Sequence, residues 1–219
     1  MADARRDETG LVLDRLRIAI GGTELVAVDA TVRPGEVLTV MGPSGSGKST
    51  LLSVVTGTVD PAFTVAGGVR VNGRELTGLP PEARRVGLLF QDELLFPHMS
   101  VGSNLAFGLN RGVRGRAARR ARVEEALAEV GLEGFADRDP ATLSGGQKAR
   151  VALMRVLLSE PDALLLDEPF SRLDPDRRDR VRRLVFDRAR AHGLPVLLVT
   201  HDAADARAAG ERIIRLESS

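Results

Sequence analysis

One stretch constrains the fold of this chain more than any other: Gly-Pro-Ser-Gly-Ser-Gly-Lys-Ser-Thr, residues 42–50. An apolar segment, residues 36–41, leads directly into it, and residues 49–57 after it have the pattern of a helix that ends at a glycine. The spacing Gly-x-x-x-x-Gly-Lys-Ser between a strand and a helix is typical of a phosphate-binding loop. The sequence therefore predicts an α/β protein that binds a nucleotide.

Each residue type in this loop suits a triphosphate. Glycines let the backbone fold around phosphate oxygens so that its N–H groups point inward. Lys48 supplies a compact cation for the β- and γ-phosphates, and lysine otherwise occurs only at Lys148 among 31 basic residues. Ser49 offers a hydroxyl to Mg²⁺, and Thr50 can add a phosphate contact. The predicted nucleotide-binding residues of the loop are Gly42, Pro43, Ser44, Gly45, Ser46, Gly47, Lys48, Ser49 and Thr50.

Two carboxylates end a second apolar segment, Leu-Leu-Leu-Asp-Glu-Pro at residues 164–169. At the tip of a buried strand, Asp167 suits the coordination of Mg²⁺, and Glu168 can accept a proton from an attacking water. Acidic residues often end strands without a catalytic role, so the pattern is weak by itself. Together with the phosphate loop it predicts nucleotide hydrolysis, with Glu168 as the general base.

Two more polar side chains follow apolar strands. Gln91 comes just after residues 85–90, where its amide could reach Mg²⁺ and the attacking water, although a loop glutamine by itself usually has no such role. His201 follows residues 195–200 and is expected at the same sheet edge as the phosphate loop, where a histidine is more often a structural hydrogen-bonding group. We treat both as candidate catalytic residues.

A second anion-binding pattern lies far from the phosphate loop, in Ala-Thr-Leu-Ser-Gly-Gly-Gln at residues 141–147. Ser144 can cap a helix whose apolar residues recur at helical spacing. Gly145 and Gly146 allow a ligand to approach the backbone closely, and a helix N-terminus favours anions. The residues themselves leave open which anion this site serves.

The remaining pattern indicates an α/β core that carries an insert. Apolar strands alternate with helices except over residues 98–140, which contain a predicted amphipathic helix at about 116–130 and no strand. We expect a core of residues 1–91 and 141–219 and a helical subdomain over about 92–140. The net charge of +1 and the lack of aromatic residues within the Arg-rich run 111–122 argue against nucleic acid as a partner.

Taken together, the motifs resemble those of the ATP-binding subunits of ABC transporters. They occur in that family's order: the phosphate loop, Gln91, Leu-Ser-Gly-Gly-Gln at 143–147, the Asp167–Glu168 pair, Ser-Arg-Leu-Asp at 171–174 and His201. The resemblance implies a P-loop NTPase cassette, with a mainly parallel sheet core, an antiparallel N-terminal β portion and an inserted α-helical subdomain. It implies ATP and Mg²⁺ as cofactors. The catalytic residues it implies are Lys48, Gln91, Glu168 and His201, and the metal ligands are Ser49, Gln91 and Asp167.

Because two copies pack head to tail in this family, the resemblance also implies a ligand for the second anion site. Each ATP lies between the phosphate loop of one copy and the Leu-Ser-Gly-Gly-Gln helix of the other. Ser144, Gly145, Gly146 and Gln147 would then contact the partner's γ-phosphate, and Asp174 would contact the partner near the opposite site.

The stretch 89–109 resembles the corresponding region of bacterial importer ATPases, which implies transmembrane permease subunits and, indirectly, a periplasmic or extracellular solute-binding protein. Leu95, Phe96, His98 and Met99 are the candidate permease contacts, although packing within the subdomain explains any one of them equally well. The protein is then expected as a peripheral subunit at the cytoplasmic face of the inner membrane. The alternatives are an ABC exporter ATPase or, less expected with one phosphate loop and a short insert, a soluble ABC ATPase without a transport role.

One feature departs from the family, which usually stacks an aromatic side chain from the first strand region on adenine. The chain has no Tyr or Trp, and its seven Phe all lie outside that region, where the corresponding position falls near Ile18 to Ile20. Because the stacking contribution of an aromatic ring is about 1 kcal/mol, we expect a preference for ATP over GTP within about tenfold.

Overall fold

A computed structural model describes residues 9–90, 94–171, 173, 175–210 and 212–217. The strands are β1 Leu11–Ile20, β2 Thr23–Val32, β3 Val37–Met41, β4 Phe63–Val71, β5 Arg74–Glu75, β6 Val86–Leu89, β7 Ala163–Asp167, β8 Val196–Val199 and β9 Ile213–Arg215. The helices are α1 Lys48–Thr56, α2 Pro81–Arg84, α3 Val101–Gly108, α4 Arg116–Glu129, α5 Gly145–Leu157, α6 Pro175–Ala191 and α7 Ala203–Ala209, with a 3₁₀ turn at Pro140–Thr142. None of the helices within these ranges is long and apolar enough to cross a membrane.

An antiparallel sheet occupies the N-terminal part of the chain. Its strand order is β2-β1-β4-β5, and β1 is antiparallel to both β2 and β4. In the second half of β1, Leu16 and Ile18 are buried whereas Arg17 between them is exposed, the period of two expected of a strand with one buried face. Asn72 and Gly73, a pair typical of hairpin turns, join β4 to β5, and both residues have positive φ.

A second, five-stranded sheet has the order β6-β7-β8-β3-β9. In it β3 runs parallel to β8 and β9, and β7 runs parallel to β8. Val199 pairs with Val40 on one side and with Asp167 on the other, so the carboxyl ends of β3, β7 and β8 lie at one edge. A parallel sheet, an antiparallel N-terminal sheet and a separate helical portion confirm the predicted fold class.

The chain packs as two compact units. The first comprises the described residues up to Leu88, Asp162–Glu168, and those from Val185 onward, and it contains the two sheets. The second comprises Leu89–Pro161 and Pro169–Leu184 within the described ranges. Its core is formed by apolar residues of α3, α4 and α5, including Val101, Leu105, Leu127, Val151 and Met154. The division expected from the sequence, a core of residues 1–91 and 141–219 with a helical subdomain over about 92–140, stays a prediction.

Two elements differ from the sequence pattern for local reasons. The alternation of residues 16–20 predicts a strand there, but β1 begins at Leu11, because a shift in register between Leu13 and Leu16 breaks the alternation of buried and exposed residues. α3 was not predicted, because its buried face includes the polar Asn104. The amide of Asn104 is satisfied by carbonyl oxygens, among them those of Phe96 and Met99, so the polar residue belongs to the core.

Candidate active site

The predicted phosphate loop joins β3 to α1, and its backbone has the conformations that its glycines allow. Gly45 and Gly47 have φ values of +84° and +85°, which residues with a Cβ rarely adopt. α1 begins directly after Gly47. The ammonium of Lys48 donates hydrogen bonds to the carbonyl oxygens of Gly42, at 2.8 Å, and Pro43, at 2.6 Å. Lys48 therefore lies across the loop, at the place where the sequence predicts phosphate oxygens.

Ser49 and Asp167 form the part of this site suited to a divalent cation. Ser49 lies close enough to the carboxylate of Asp167, half-buried at the end of β7, to influence its ionisation. Burial and the neighbouring Glu168 raise the pKa of Asp167, whereas Lys48 and Ser49 act in the opposite direction. A hydroxyl and one carboxylate fit Mg²⁺ in nucleotide sites, because phosphate oxygens and water complete its coordination. The described residues contain no group of three His, Cys, Asp or Glu that could hold a metal by themselves.

Glu168 is held by groups at the end of β8. Its Oε1 accepts hydrogen bonds from the backbone N–H of His201, at 3.1 Å, and lies 2.7 Å from His201 Nδ1. The Glu168 side chain is 12% exposed and that of His201 is 72% exposed. The structure thus brings together two of the predicted catalytic residues, which are 33 positions apart in sequence.

Thr200 is a polar group at this site that sequence reasoning missed. It is fully buried, and its hydroxyl lies 3.4 Å from Glu168 Oε2 and 3.5 Å from Asp205 Oδ2. The hydroxyl also accepts a hydrogen bond from the N–H of Asp202, which caps α7. The available signal was its place directly before His201, at the end of an apolar strand. Thr200 links the Glu168 carboxylate to the start of α7.

The Ser-Gly-Gly-Gln segment begins α5 as predicted, and α5 belongs to the second unit, although the sequence places residues from 141 onward in the expected core. Ser144 caps the helix: its hydroxyl accepts from the N–H of Gln147, and the Gln147 side chain accepts from the N–H of Ser144. This reciprocal pair is a capping box. The Gln147 amide therefore has a structural role in the chain itself, in addition to the predicted contact with a partner's phosphate.

Two predicted site residues, Gln91 and Asp174, lie outside the described residues. The four predicted permease contacts lie in the loop before α3 and differ in exposure. Leu95 packs against the helical core, whereas His98 is exposed. Phe96 and Met99 are half-buried.

Sequence reasoning missed two apolar residues of this surface, Leu94 and Phe107, which are 57% and 67% exposed. The Phe107 ring meets that of Phe96 edge to face at 4.8 Å, and the Arg155 guanidinium lies 5.0 Å from the centre of the Phe96 ring. We call Phe96, His98 and Phe107, whose rings lie next to one another, the aromatic patch. Exposed apolar side chains grouped in this way mark interaction sites.

Comparison with known proteins supports the resemblance. The sequence pattern of the family described as ABC transporter matches residues 25–171. The chain is 51% identical over 181 residues to YnjD of Escherichia coli (strain K12), an uncharacterised ABC transporter ATP-binding protein, and the match covers 83% of each. It is 47% identical over 204 residues to the thiamine import ATP-binding protein ThiQ of Cereibacter sphaeroides, covering 93% of this chain and 87% of the relative.

A solved structure shows the same fold. The ATP-binding cassette MJ0796, described as a dimer in a post-hydrolysis state bound to ADP and Pi, superposes with a TM-score of 0.79 at 32% identity. The superposition covers 93% of this chain and 96% of that one.

Proposed function

This chain belongs to the ABC transporter family, and we propose on that premise that it is the ATP-hydrolysing subunit of a membrane importer for a small solute. The observation that carries the hydrolytic part is the position of the phosphate loop, the Asp167–Glu168 pair and His201 at the carboxyl ends of neighbouring strands. The import part is supported by the relative ThiQ, which is named as an import ATP-binding protein and matches nearly the whole chain.

Hydrolysis follows from the side chains already assembled. Lys48 exchanges its two carbonyl partners for the β- and γ-phosphate oxygens and neutralises their charge. Glu168 accepts the proton of the attacking water, and His201, in contact with Glu168, holds the γ-phosphate in line. Electrostatic stabilisation and positioning of this kind account for most of the catalysis of phosphoryl transfer.

Mg²⁺ fits the hydroxyl and carboxylate pair of Ser49 and Asp167, with Gln91 as the third candidate ligand. When bound, the ion supplies positive charge to the phosphate oxygens. Ser49 would contribute its hydroxyl and Asp167 its carboxylate to the coordination of the ion.

A second copy of the chain completes each site in this proposal. Ser144, Gly145, Gly146 and Gln147 start α5 with their backbone fixed by the capping box, and they would contact the γ-phosphate bound by the partner. Asp174 would lie at the same interface. Loss of the γ-phosphate removes the charge that holds the two copies together, so hydrolysis opens the dimer.

The aromatic patch, with Leu95 and Met99, is the proposed contact for a cytoplasmic segment of the permease. The subunit would then be peripheral, at the cytoplasmic face of the inner membrane, and a periplasmic or extracellular solute-binding protein would deliver the solute to the permease. Phe96 and Phe107 are the expected centre of this contact because aromatic rings dominate interface energetics.

Affinity purification from native membranes tests the transport role. Tagged Glu168→Gln protein, kept loaded with ATP, is recovered from detergent-solubilised membranes, and the chains that accompany it are identified by mass spectrometry. We expect a multispanning membrane protein, and a solute-binding protein with it supports import. Recovery of only ribosomal or DNA-bound proteins contradicts the transport role and leaves the ATPase intact.

A matched pair of variants tests the docking surface in the same experiment. The double variant Phe96→Ala/Phe107→Ala should lose most of the membrane protein. Phe135→Ala removes a half-buried ring from the same helical unit, outside the aromatic patch, and should retain it. Equal recovery with both variants contradicts the assignment of the surface.

A further inference from the structure

The sequence offers no aromatic residue in β1 to stack on the nucleotide base. The pairing of β1 with β4, however, places an aromatic residue of β4 beside β1. We propose that the base packs on Ile20, Leu25 and Phe63, with Phe63 supplying the ring from β4. The inference rests on the proposed function and names the residues that set the base preference of the same site.

Ile20 and Phe63 share one face of the antiparallel sheet. They are directly opposite each other in the β1–β4 pair. Residues in that relation have Cβ atoms about 4.5–5.5 Å apart on the same face. Two positions earlier, the fully buried Ile18 pairs with Val65, which packs against the core. Ile20 and Phe63 therefore lie on the core-facing side of the sheet, at the last residue of β1 and the first residue of β4.

Leu25 connects this face to the phosphate loop. The register of β1 with β2 shifts between Ile18 and Ala19, which leaves Leu25 as the extra residue of β2. A Cβ added at Gly47 would lie 2.9 Å from Leu25 Cγ and 2.4 Å from Val26 Cγ2. The last glycine of the phosphate loop thus lies against Leu25, and the apolar face extends from there toward Ile20 and Phe63.

The exposure of these residues suits a flat apolar ligand. Ile20 is 45% exposed at the strand end, and Leu25 and Phe63 are half-buried against the core. Of the seven phenylalanines, only Phe63 and Phe186 belong to the sheet-containing unit, and Phe186 is buried. Phe63 is therefore the one phenylalanine of that unit with surface left to offer a base.

We call Ile20, Leu25 and Phe63 the platform. The platform would contact the face of a base rather than its hydrogen-bonding edge. Stacking tolerates all bases because each has a π-face, whereas discrimination needs hydrogen bonds to the base edge. We therefore expect ATP and GTP to bind within about tenfold of each other and to lose affinity together when the platform is cut back.

Binding to the full chain by isothermal titration calorimetry tests the platform, with MgATP, MgGTP and inorganic tripolyphosphate as ligands. Phe63→Ala and Ile20→Ala should each weaken ATP and GTP by about three- to tenfold. Neither should change the affinity for tripolyphosphate, which has no base. Phe135→Ala, a half-buried ring in the other unit, should leave all three ligands unaffected.

The outcomes separate the platform from the nucleotide site itself. Unchanged ATP affinity in Phe63→Ala and Ile20→Ala overturns the platform, and so does an equal loss of tripolyphosphate, because the phosphate loop would then have been deformed. Ile20→Ala removes an exposed side chain, so it decides the question even if Phe63→Ala fails to fold. If the wild type binds ATP and GTP no more tightly than Lys48→Ala does, the proposed function itself fails.

Discussion

Glu168 combines an uncommon backbone conformation with a fixed carboxylate. Its φ is +47°, in the left-handed region that residues with a side chain seldom occupy. Its carboxylate is held by the N–H and Nδ1 of His201 and approached by the Thr200 hydroxyl. Strained residues of this kind persist where the surroundings determine their position, and they cluster at active sites. A carboxylate fixed in this way suits the proposed role of Glu168 as general base.

Replacing Glu168 by Gln should therefore separate binding from turnover. The amide keeps the size of the side chain but accepts no proton, so kcat for ATP should fall by about 100-fold or more while the affinity for ATP is kept. Steady-state phosphate release and equilibrium ATP binding measure the two effects. Glu133→Gln, at an exposed carboxylate of the helical unit, should behave as the wild type. Near-normal turnover in Glu168→Gln contradicts the assignment of the base.

At the scale of elements, α1 carries the phosphate loop and is fixed at its far end by a buried arginine. Arg84 is 6% exposed, and its guanidinium donates to the carbonyl oxygens of Val54, at 2.8 Å, and Val55, at 3.0 Å, in the last turns of α1. It also donates to Leu79. Burial lowers the pKa of Arg84 and the charge of Glu75 opposes that effect. Arg84 thus supplies side-chain donors to carbonyl oxygens in the last turns of α1, where Val54 O also accepts the N–H of Gly57.

Arg84→Ala should lower the free energy of unfolding by about 3 kcal/mol, because the carbonyl oxygens of Val54 and Val55 lose the buried charged donor that contacts both. Arg84→Lys should lower it by less, since an ammonium keeps the charge but not the planar set of donors. Its neighbour Arg85 makes a salt bridge to Asp162 at 3.0 Å with half of its side chain exposed, so Arg85→Ala should cost less than about 1 kcal/mol. Urea unfolding of the three variants measures this order. Equal stability of Arg84→Ala and Arg85→Ala would refute the role of Arg84.

The elements also show which features sequence predicts and which it does not. The phosphate loop, the strand that ends in Asp167 and the cap at Ser144 were predictable, because each depends on residues adjacent in sequence. The neighbours Ile20 and Phe63 were not, because strand register joins positions far apart. The role of Arg84 was not predictable either, because the composition of an arginine-rich chain does not indicate which guanidinium is buried. Local chemistry was predictable, whereas contacts that depend on packing were not.

At the scale of the whole molecule, the two predicted anion-binding sequences of the chain fall in different packing units. The phosphate loop belongs to the sheet-containing unit, and the Ser144 capping box to the helical unit. In the proposed head-to-tail dimer, each composite site takes its phosphate loop from one copy and its α5 N-terminus from the other. A site shared between two copies should therefore allow two defective variants to complement each other, whereas a site formed within one chain should not.

Two defective variants should restore one intact site when they are mixed. Lys48→Ala removes the cation of the phosphate loop and leaves α5 unchanged. Ser144→Asp keeps a good helix cap, so the fold is retained, but its carboxylate repels the partner's γ-phosphate. Each variant alone should have little ATPase activity, because every composite site in its dimer contains one defect. In the mixed dimer one site combines both defects and the other has none, so the mixture should recover ATPase activity.

The control for this recovery is a mixture of Lys48→Ala with a double variant that carries Lys48→Ala and Ser144→Asp. No dimer in that mixture contains an intact phosphate loop, so its activity should stay at the level of the single variants. Thermal unfolding of each purified variant verifies that Ser144→Asp is folded. If the first mixture is no more active than the control, the two halves of the site do not come from different copies, because complementation requires each copy to supply the half that the other lacks.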